Sequence, residues 1–312
     1  MPVTTSVHNH LDTRIADLQQ HIGHTPLFSL NSLSPNEKVK IYSKIEWQQF
    51  GGSVKARAAF NIIKEAVSSG LLTPGKRLLD ATSGNTGIAY AHIGANLNIP
   101  VTLFMPENAS EERKMLLKSL GVDLRFTSRF GSTDEAQEAA QDLYSSDPDT
   151  YYYADQYSND NNWRAHYKTT ANEIIDQTHG SITHFISGLG TTGTFTGTGR
   201  RLKEFNSDIQ LMALQPETAL HGLEGWKHLE TAMIPDIYDR TVADQLRTVD
   251  TGTAYDTIKL AAKKTGLLLS PSSAANLAGA LKLAEEMEEG VIVTVFPDNA
   301  DKYGEVLQQL FR

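Results

Sequence analysis

This 312-residue chain predicts an α/β protein of mainly parallel sheet, divided into two domains. Short apolar runs alternate with amphipathic stretches, the pattern of strand–helix–strand units. Two of those runs, 77–81 and 182–187, lead through polar, glycine-containing turns into helical sequence. The length exceeds the roughly 250–300 residues that a single core usually serves, so two domains of unequal size are expected.

The predicted strands are 39–45, 77–81, 101–105, 122–127, 182–187, 209–215 and 291–296. Helices fall between them. Residues 56–69 carry Ala59, Ile62, Ile63 and Ala66 at helical spacing, which marks one buried face. A helix over 111–120 follows a polar Asn-Ala-Ser, and Ser132 and Glu135 have the spacing of a capping box for the next one. A further helix over 273–289 is rich in Ala, Leu and Glu. The polar and aromatic stretch 145–162 reads as a crossing between domains, and 217–239 as irregular. No internal repeat is present. The domains divide as 46–158, the smaller, and 1–45 with 159–312, the larger.

Apolar residues make up 40% and charged residues 21%, a globular composition that excludes a disordered chain. No window approaches the ~18 apolar residues of a membrane span. Lys plus Arg number 28 against 37 Asp plus Glu, and the net charge of −9 argues against nucleic acid and anionic membranes as partners. With no cysteine, disulfides, thiolate metal sites and cysteine nucleophiles are all excluded. The N-terminal twenty residues lack the basic start and apolar core of a secretory signal, so the cytoplasm is the expected compartment. His8 and His10 fall in an expected floppy tail, and His221 and His228 form no H-E-x-x-H pattern. No metal is expected.

Four segments can carry chemistry. In the first, Gly188, Gly190, Gly193, Gly197 and Gly199 alternate with threonines between an apolar run and Arg200-Arg-Leu-Lys-Glu. A strand turning through glycines into a helix presents backbone N–H groups at the positive helix end, which suits phosphate. Thr191, Thr192 and Thr194 can add hydroxyl donors. The same segment matches the dinucleotide pattern G-x-G-x-x-G, with Glu217 as a ribose acid, so a nicotinamide dehydrogenase is a rival. A tight turn with no ligand is the plain alternative.

The second segment is Thr82-Ser83-Gly84-Asn85-Thr86-Gly87, again between a strand and a helix. It would hold a carboxylate through N–H and hydroxyl donors, or it is simply a cluster of N-cap residues. In the third, Lys55 follows Gly51-Gly52-Ser53-Val54 and leads an apolar helix. Burial there would free its amine for Schiff-base chemistry, although a lone lysine is ordinarily solvated. No G-x-S-x-G or S-x-x-K signature supports a Ser/Lys hydrolase. The fourth is Leu268-Leu-Ser-Pro271-Ser272-Ser273-Ala-Ala-Asn276. A serine hydroxyl there either caps a helix or donates to an aromatic ring nitrogen.

Taken together, the segments resemble the fold-type II pyridoxal phosphate enzymes of the cysteine synthase and cystathionine β-synthase branch. HIGHTPL at 21–27 resembles that family's N-terminal motif, GGSVKAR its lysine segment, TSGNTG its substrate-carboxylate loop and MPENASEERKMLLKSLG its mobile subdomain. GLGTTGT resembles its phosphate loop and LSPSSAAN its pyridine-nitrogen serine. The resemblance implies two open, mainly parallel-sheet domains of the tryptophan synthase β type, with pyridoxal 5'-phosphate in the cleft. By position it implies that Lys55 is the Schiff-base lysine and general base, and that Asn85 bonds the ring hydroxyl. Thr82, Ser83, Asn85 and Thr86 with Gln156 would bind the substrate and hold its carboxylate. Gly190, Thr191, Thr192, Gly193 and Thr194 would hold the phosphate, and Ser272 would face the ring nitrogen.

Three places depart from the usual pattern: Gln48-Gln49-Phe50 before the glycine turn, Ala56 after the lysine, and Pro271 with Ala274 in the serine segment. The expected reaction is β-replacement on an activated L-serine, above all O-acetylserine plus sulfide giving cysteine and acetate. O-Phosphoserine as donor, homocysteine as acceptor, or an amine nucleophile giving a diaminopropionate-type product are the alternatives. Arg113, Lys114 and Lys227 are the cations that would favour phosphoserine. A homodimer is implied by the resemblance. A catalytically silent amino-acid-binding protein is the rival that keeps the cofactor.

Overall fold

The computed structural model describes residues 4–82 and 84–312. Ser83 therefore lies outside the described residues. These form ten strands: β1 Leu27–Ser29, β2 Val39–Ile45, β3 Arg77–Ala81, β4 Val101–Pro106, β5 Asp123–Thr127, β6 Tyr151–Tyr153, β7 His184–Gly188, β8 Gln210–Pro216, β9 Gln245–Val249 and β10 Gly290–Phe296. All seven predicted strands are present, each within two residues of its expected ends. The α/β class follows as expected.

The chain divides into two compact units. The smaller comprises residues up to Gly23, Gln49–Gly51 and Lys55–Asn161. Its four strands run in the order β5-β4-β3-β6, all parallel. Parallel strands need crossover connections, and helices supply them, so both sheet faces are covered. One face packs Leu78, Val101, Leu103 and Met105 against Ile62, Ile63, Ile88 and Ile93 of the helices Lys55–Ser68 and Asn85–Leu97. The other packs Leu79 and Ala81 against Ala136 and Ala140 of the helix Ser132–Ser146. The N-terminal segment expected to be a floppy tail is instead a helix, Thr4–Gln19, whose Ile15 and Leu18 enter the first of these cores.

The larger unit comprises His24–Gln48, Gly52–Val54 and Asn162–Arg312. Its sheet has the order β1-β2-β10-β7-β8-β9, parallel except for β1. The helices Thr251–Thr265 and Pro271–Glu286 cover one face, and Thr170–Gln177 and Gly193–Phe205 the other. Stretch 145–162, read from the sequence as a crossing, contributes β6 to the smaller sheet. The capping-box expectation is corrected. The helix starts at Ser132 with Gly131 as its flanking residue, and Glu135 Oε1 accepts from the Ser128 N–H at 3.2 Å. No described helix is long and apolar enough to cross a membrane.

Residues 24–27 of the 21–27 motif belong to the larger unit and have a structural role there. Thr25, fully buried, donates its hydroxyl to buried Glu46 at 2.7 Å. The Thr25 carbonyl accepts from Lys44 Nζ and from Gln177 Nε2. Lys44 is itself fully buried and pairs with Glu173 at 2.8 Å. Removing one partner of a buried pair leaves the other charge poorly solvated, so Lys44→Ala should cost about 3–5 kcal/mol of stability. A fall in the denaturant midpoint, partly restored by adding Glu173→Gln, is the expected reading.

Candidate active site

Lys55 opens the helix Lys55–Ser68 and is half-buried. Before it, Gly51 and Gly52 have φ of +87° and +63°, a left-handed turn that L side chains adopt only with strain. The departures from the family pattern beside this turn are structural. Gln49 Oε1 accepts from the Gly23 N–H at 2.9 Å, Phe50 N–H donates to the His21 carbonyl, and the Phe50 ring meets His92 edge-on. Ala56 is fully buried in the smaller unit's core.

In the same unit, β3 runs into the loop at residues 82–87, which leads into the helix Asn85–Leu97. Thr82 Oγ1 accepts from the N–H groups of Gly84 at 3.2 Å and Gly87 at 3.3 Å. Thr82 thus caps the helix from outside it. Both bonds use its oxygen, so its proton remains to be donated. Thr86, 4% exposed, donates to Gln156 Oε1 at 2.6 Å, and Gln156 Nε2 donates to the Ala81 carbonyl at 2.9 Å. The structure thus brings together Thr82, Thr86 and Gln156, with Asn85 half-buried at the helix start. Of the three cations named from sequence, Arg113 is buried and its guanidinium lies beside Gly84, where an added Cβ would sit 3.8 Å from Nη1. Lys114 is engaged by Glu111 and the Glu107 carbonyl, and Lys227 donates to the Met233 carbonyl in the larger unit.

In the larger unit, β7 ends at Gly188 and the helix Gly193–Phe205 begins five residues later. Thr192 precedes that helix with φ +70°, a strained conformation for a β-branched residue. Its hydroxyl is buried and has no hydrogen-bond partner among the described residues. Gly190 is in close approach to the backbone of a turn, since a Cβ there would sit 2.1 Å from the Gly225 carbonyl oxygen. Thr191 accepts from Asn162 Nδ2 at 3.0 Å, and Thr194 lies 3.3 Å from His166 Nε2. An orphaned hydroxyl, a strained turn and a helix N-terminus together fit a phosphate dianion. Gly197, further along, serves packing instead: a Cβ there would strike the Trp163 carbonyl at 2.0 Å.

The three serines at 270–273 have distinct roles. Ser270 caps the helix Pro271–Glu286 by accepting from the Ser273 N–H, with Pro271 in the first turn. Ser273 donates to the Asp298 carbonyl at 2.6 Å. Ser272 is neither cap nor strut; its hydroxyl lies 3.2 Å from Ser270 Oγ. Two site-supporting residues escaped the sequence reading. Asn162 lies in the polar stretch 145–162, whose composition suggests a crossing. Asn276 is the other: its Oδ1 accepts from the Gly188 N–H at 2.7 Å and its Nδ2 donates to the Val295 carbonyl. A polar side chain amid the apolar run of a helix was the available signal.

A profile of the family described as pyridoxal-phosphate dependent enzyme matches residues 18–298. The chain belongs to that family. Its cofactor is pyridoxal phosphate, and the dehydrogenase reading of the glycine pattern is set aside. A cysteine synthase of Aquifex aeolicus (strain VF5) is 45% identical over 289 residues, 90% of this chain and 88% of the relative. An O-acetylserine dependent cystathionine beta-synthase of Bacillus subtilis (strain 168) is 35% identical over 93% of this chain and 96% of its own length. The crystal structure of a cysteine synthase from Entamoeba histolytica superposes with a TM-score of 0.89 at 32% identity, covering 95% of this chain and 90% of that one. The two open parallel sheets are those of the fold-type II pyridoxal phosphate enzymes.

Proposed function

We propose that the protein is a cysteine synthase that exchanges the β-substituent of an activated L-serine, O-acetyl-L-serine first, for sulfide. The observation that carries this reading is the Thr82–Thr86–Gln156 cluster at a helix N-terminus, a site for an amino acid carboxylate, in a pyridoxal phosphate-dependent chain. The relatives named above support the donor and the nucleophile.

Lys55 Nζ would tether the cofactor and then, freed, take the α-proton of the bound amino acid. When bound, the pyridoxal ring supplies the electron sink for the pair left on the α-carbon. The strained Thr192 turn and the N–H groups from Gly190 to Thr194 would hold the phosphate, and Asn85 would bond the ring hydroxyl. Ser272 would face the ring nitrogen as a neutral donor, and a neutral donor there would leave the nitrogen mostly unprotonated, which suits loss of a good leaving group over transamination. Thr82, Thr86 and Gln156 would fix the carboxylate and so present the Cα–H bond to Lys55. The leaving group departs with the electron pair of the Cβ–O bond. Sulfide then adds at Cβ, and the proton returns to Cα.

Arg113 beside Gly84 favours one second reading, a donor with an anionic β-substituent such as O-phosphoserine. A panel of O-acetylserine, O-phosphoserine and serine, each with sulfide, homocysteine and a simple amine, separates these readings when products are read by mass. Cysteine from O-acetylserine and sulfide should dominate. No product from any pair would support the silent binding reading. The working assembly we take to be a cytoplasmic homodimer, to be checked by sedimentation.

A further inference from the structure

The strand that leads into the 82–87 loop carries a carboxyl group that none of these steps uses. Asp80, the penultimate residue of β3, is fully buried. Its Oδ1 accepts from the Ala81 N–H at 2.8 Å, and the Gln156 main-chain N–H also acts on the carboxyl. Ala81 and Gln156 are the two residues whose carbonyl and side chain lead to Thr86. Asp80 Oδ2 and the fully buried Tyr90 hydroxyl, on the helix Asn85–Leu97, interact without reaching hydrogen-bond geometry.

The groups around Asp80 are acidic or phenolic. Asp155, Tyr152, Tyr153 and Tyr157 come from β6 and the turn after it, with Asp134 of the helix Ser132–Ser146 acting on Tyr157. On β4 its neighbour is Leu103. An ionised Asp80 would be a buried anion two residues before Thr82, in the strand that leads into the proposed site for a second anion.

We propose that Asp80 is a positioning residue for the substrate carboxylate: protonated, it holds Ala81 and Gln156 in place, and ionised, it weakens carboxylate binding. This rests on residues 82–87 with Gln156 being the carboxylate subsite. Burial, and after it the charge of Asp155, push the Asp80 carboxyl up to about 8 from an ordinary 3.8. The group is therefore neutral below that pH and charged above it. Substrate affinity falls as pH rises through this range, and by reciprocity a bound carboxylate keeps the proton on Asp80.

The test compares wild type with Asp80→Asn, which cannot ionise. From about pH 6.5 to about pH 9, the wild-type KM for O-acetylserine should rise roughly tenfold more than that of the variant, with kcat following the same profile in both. The substrate's own amine titrates alike with both proteins and drops out of the comparison. Tyr90→Phe removes a group that favours the ionised carboxyl, so its KM rise should move to higher pH. A second readout needs no cofactor. The unfolded carboxyl titrates near 3.8 and the folded one near 8, so the wild-type melting temperature relative to Asp80→Asn should fall between about pH 4 and about pH 8. A flat difference, or parallel KM profiles, overturns the proposal. Thr86→Val separates it from the reading beneath it. If Thr86→Val raises KM while Asp80→Asn keeps the wild-type profile, only the role of Asp80 fails. If Thr86→Val leaves KM unchanged, the subsite reading fails and takes this proposal with it.

Discussion

Lys55→Ala should fold normally and lose β-replacement activity by at least roughly 10²–10⁴-fold, the share ordinarily supplied by a positioned general base alone. The fold should tolerate it because Lys55 is the first residue of its helix and only half-buried, and alanine is the best helix former. Two functions are lost together, the tether and the base, so the real fall should exceed the single-function figure. Borohydride reduction separates the two. The wild-type protein should retain the cofactor covalently on the peptide that contains Lys55, and the variant should retain none. Lys55→Arg distinguishes chemistry from charge: a guanidinium keeps the positive charge but cannot lose its proton, so it should fail as completely as alanine. Cofactor fixed on another lysine, or normal turnover by either variant, would sink the assignment.

Most of the strands legible in the sequence are buried and rich in apolar residues; β5, at the edge of the smaller sheet, was legible instead from the alternation of Val122, Leu124 and Phe126. Those that were not are short or peripheral. β1 has three residues and pairs only with β2, and β9 is an edge strand whose burial is slight. β6 is Tyr-Tyr-Tyr in a polar stretch, and only its pairing with Arg77, Leu78 and Leu79 makes it a strand. The candidate site shows the same division. TSGNTG and the glycine–threonine run were visible because local turn chemistry is written in consecutive residues. What sequence spacing could not distribute was labour within a motif. Ser270, Ser272 and Ser273 differ only in where their hydroxyls point. Gly190 and Gly197 differ only in what lies beside them. Asp80 was invisible for another reason: the 75 residues between it and Gln156 separate two groups that fold into contact.

Gly190→Ala should be the most damaging conservative change in the proposed phosphate loop. A methyl group there would lie 2.1 Å from the Gly225 carbonyl oxygen, so backbone must move. Neither side can yield freely. The 225 segment is tied by the Lys227 N–H to the Leu189 carbonyl at 2.8 Å, and shifting 190 carries with it the N–H groups that would meet the phosphate. Overpacking of this kind costs about 1–3 kcal/mol, which, taken from cofactor binding, is roughly a 5- to 150-fold weaker complex. Titration of the apo-protein with pyridoxal phosphate, followed by absorbance, measures it. Gly188→Ala makes the informative contrast. Its added methyl would strike the Trp226 ring at 1.9 Å, a side chain instead of backbone. Adding Trp226→Leu should therefore recover most of the affinity lost in Gly188→Ala, measured against Trp226→Leu alone. The same second change should do little for Gly190→Ala. If Gly190→Ala binds pyridoxal phosphate as tightly as wild type, the phosphate is held elsewhere, and the strain at Thr192 has some other cause.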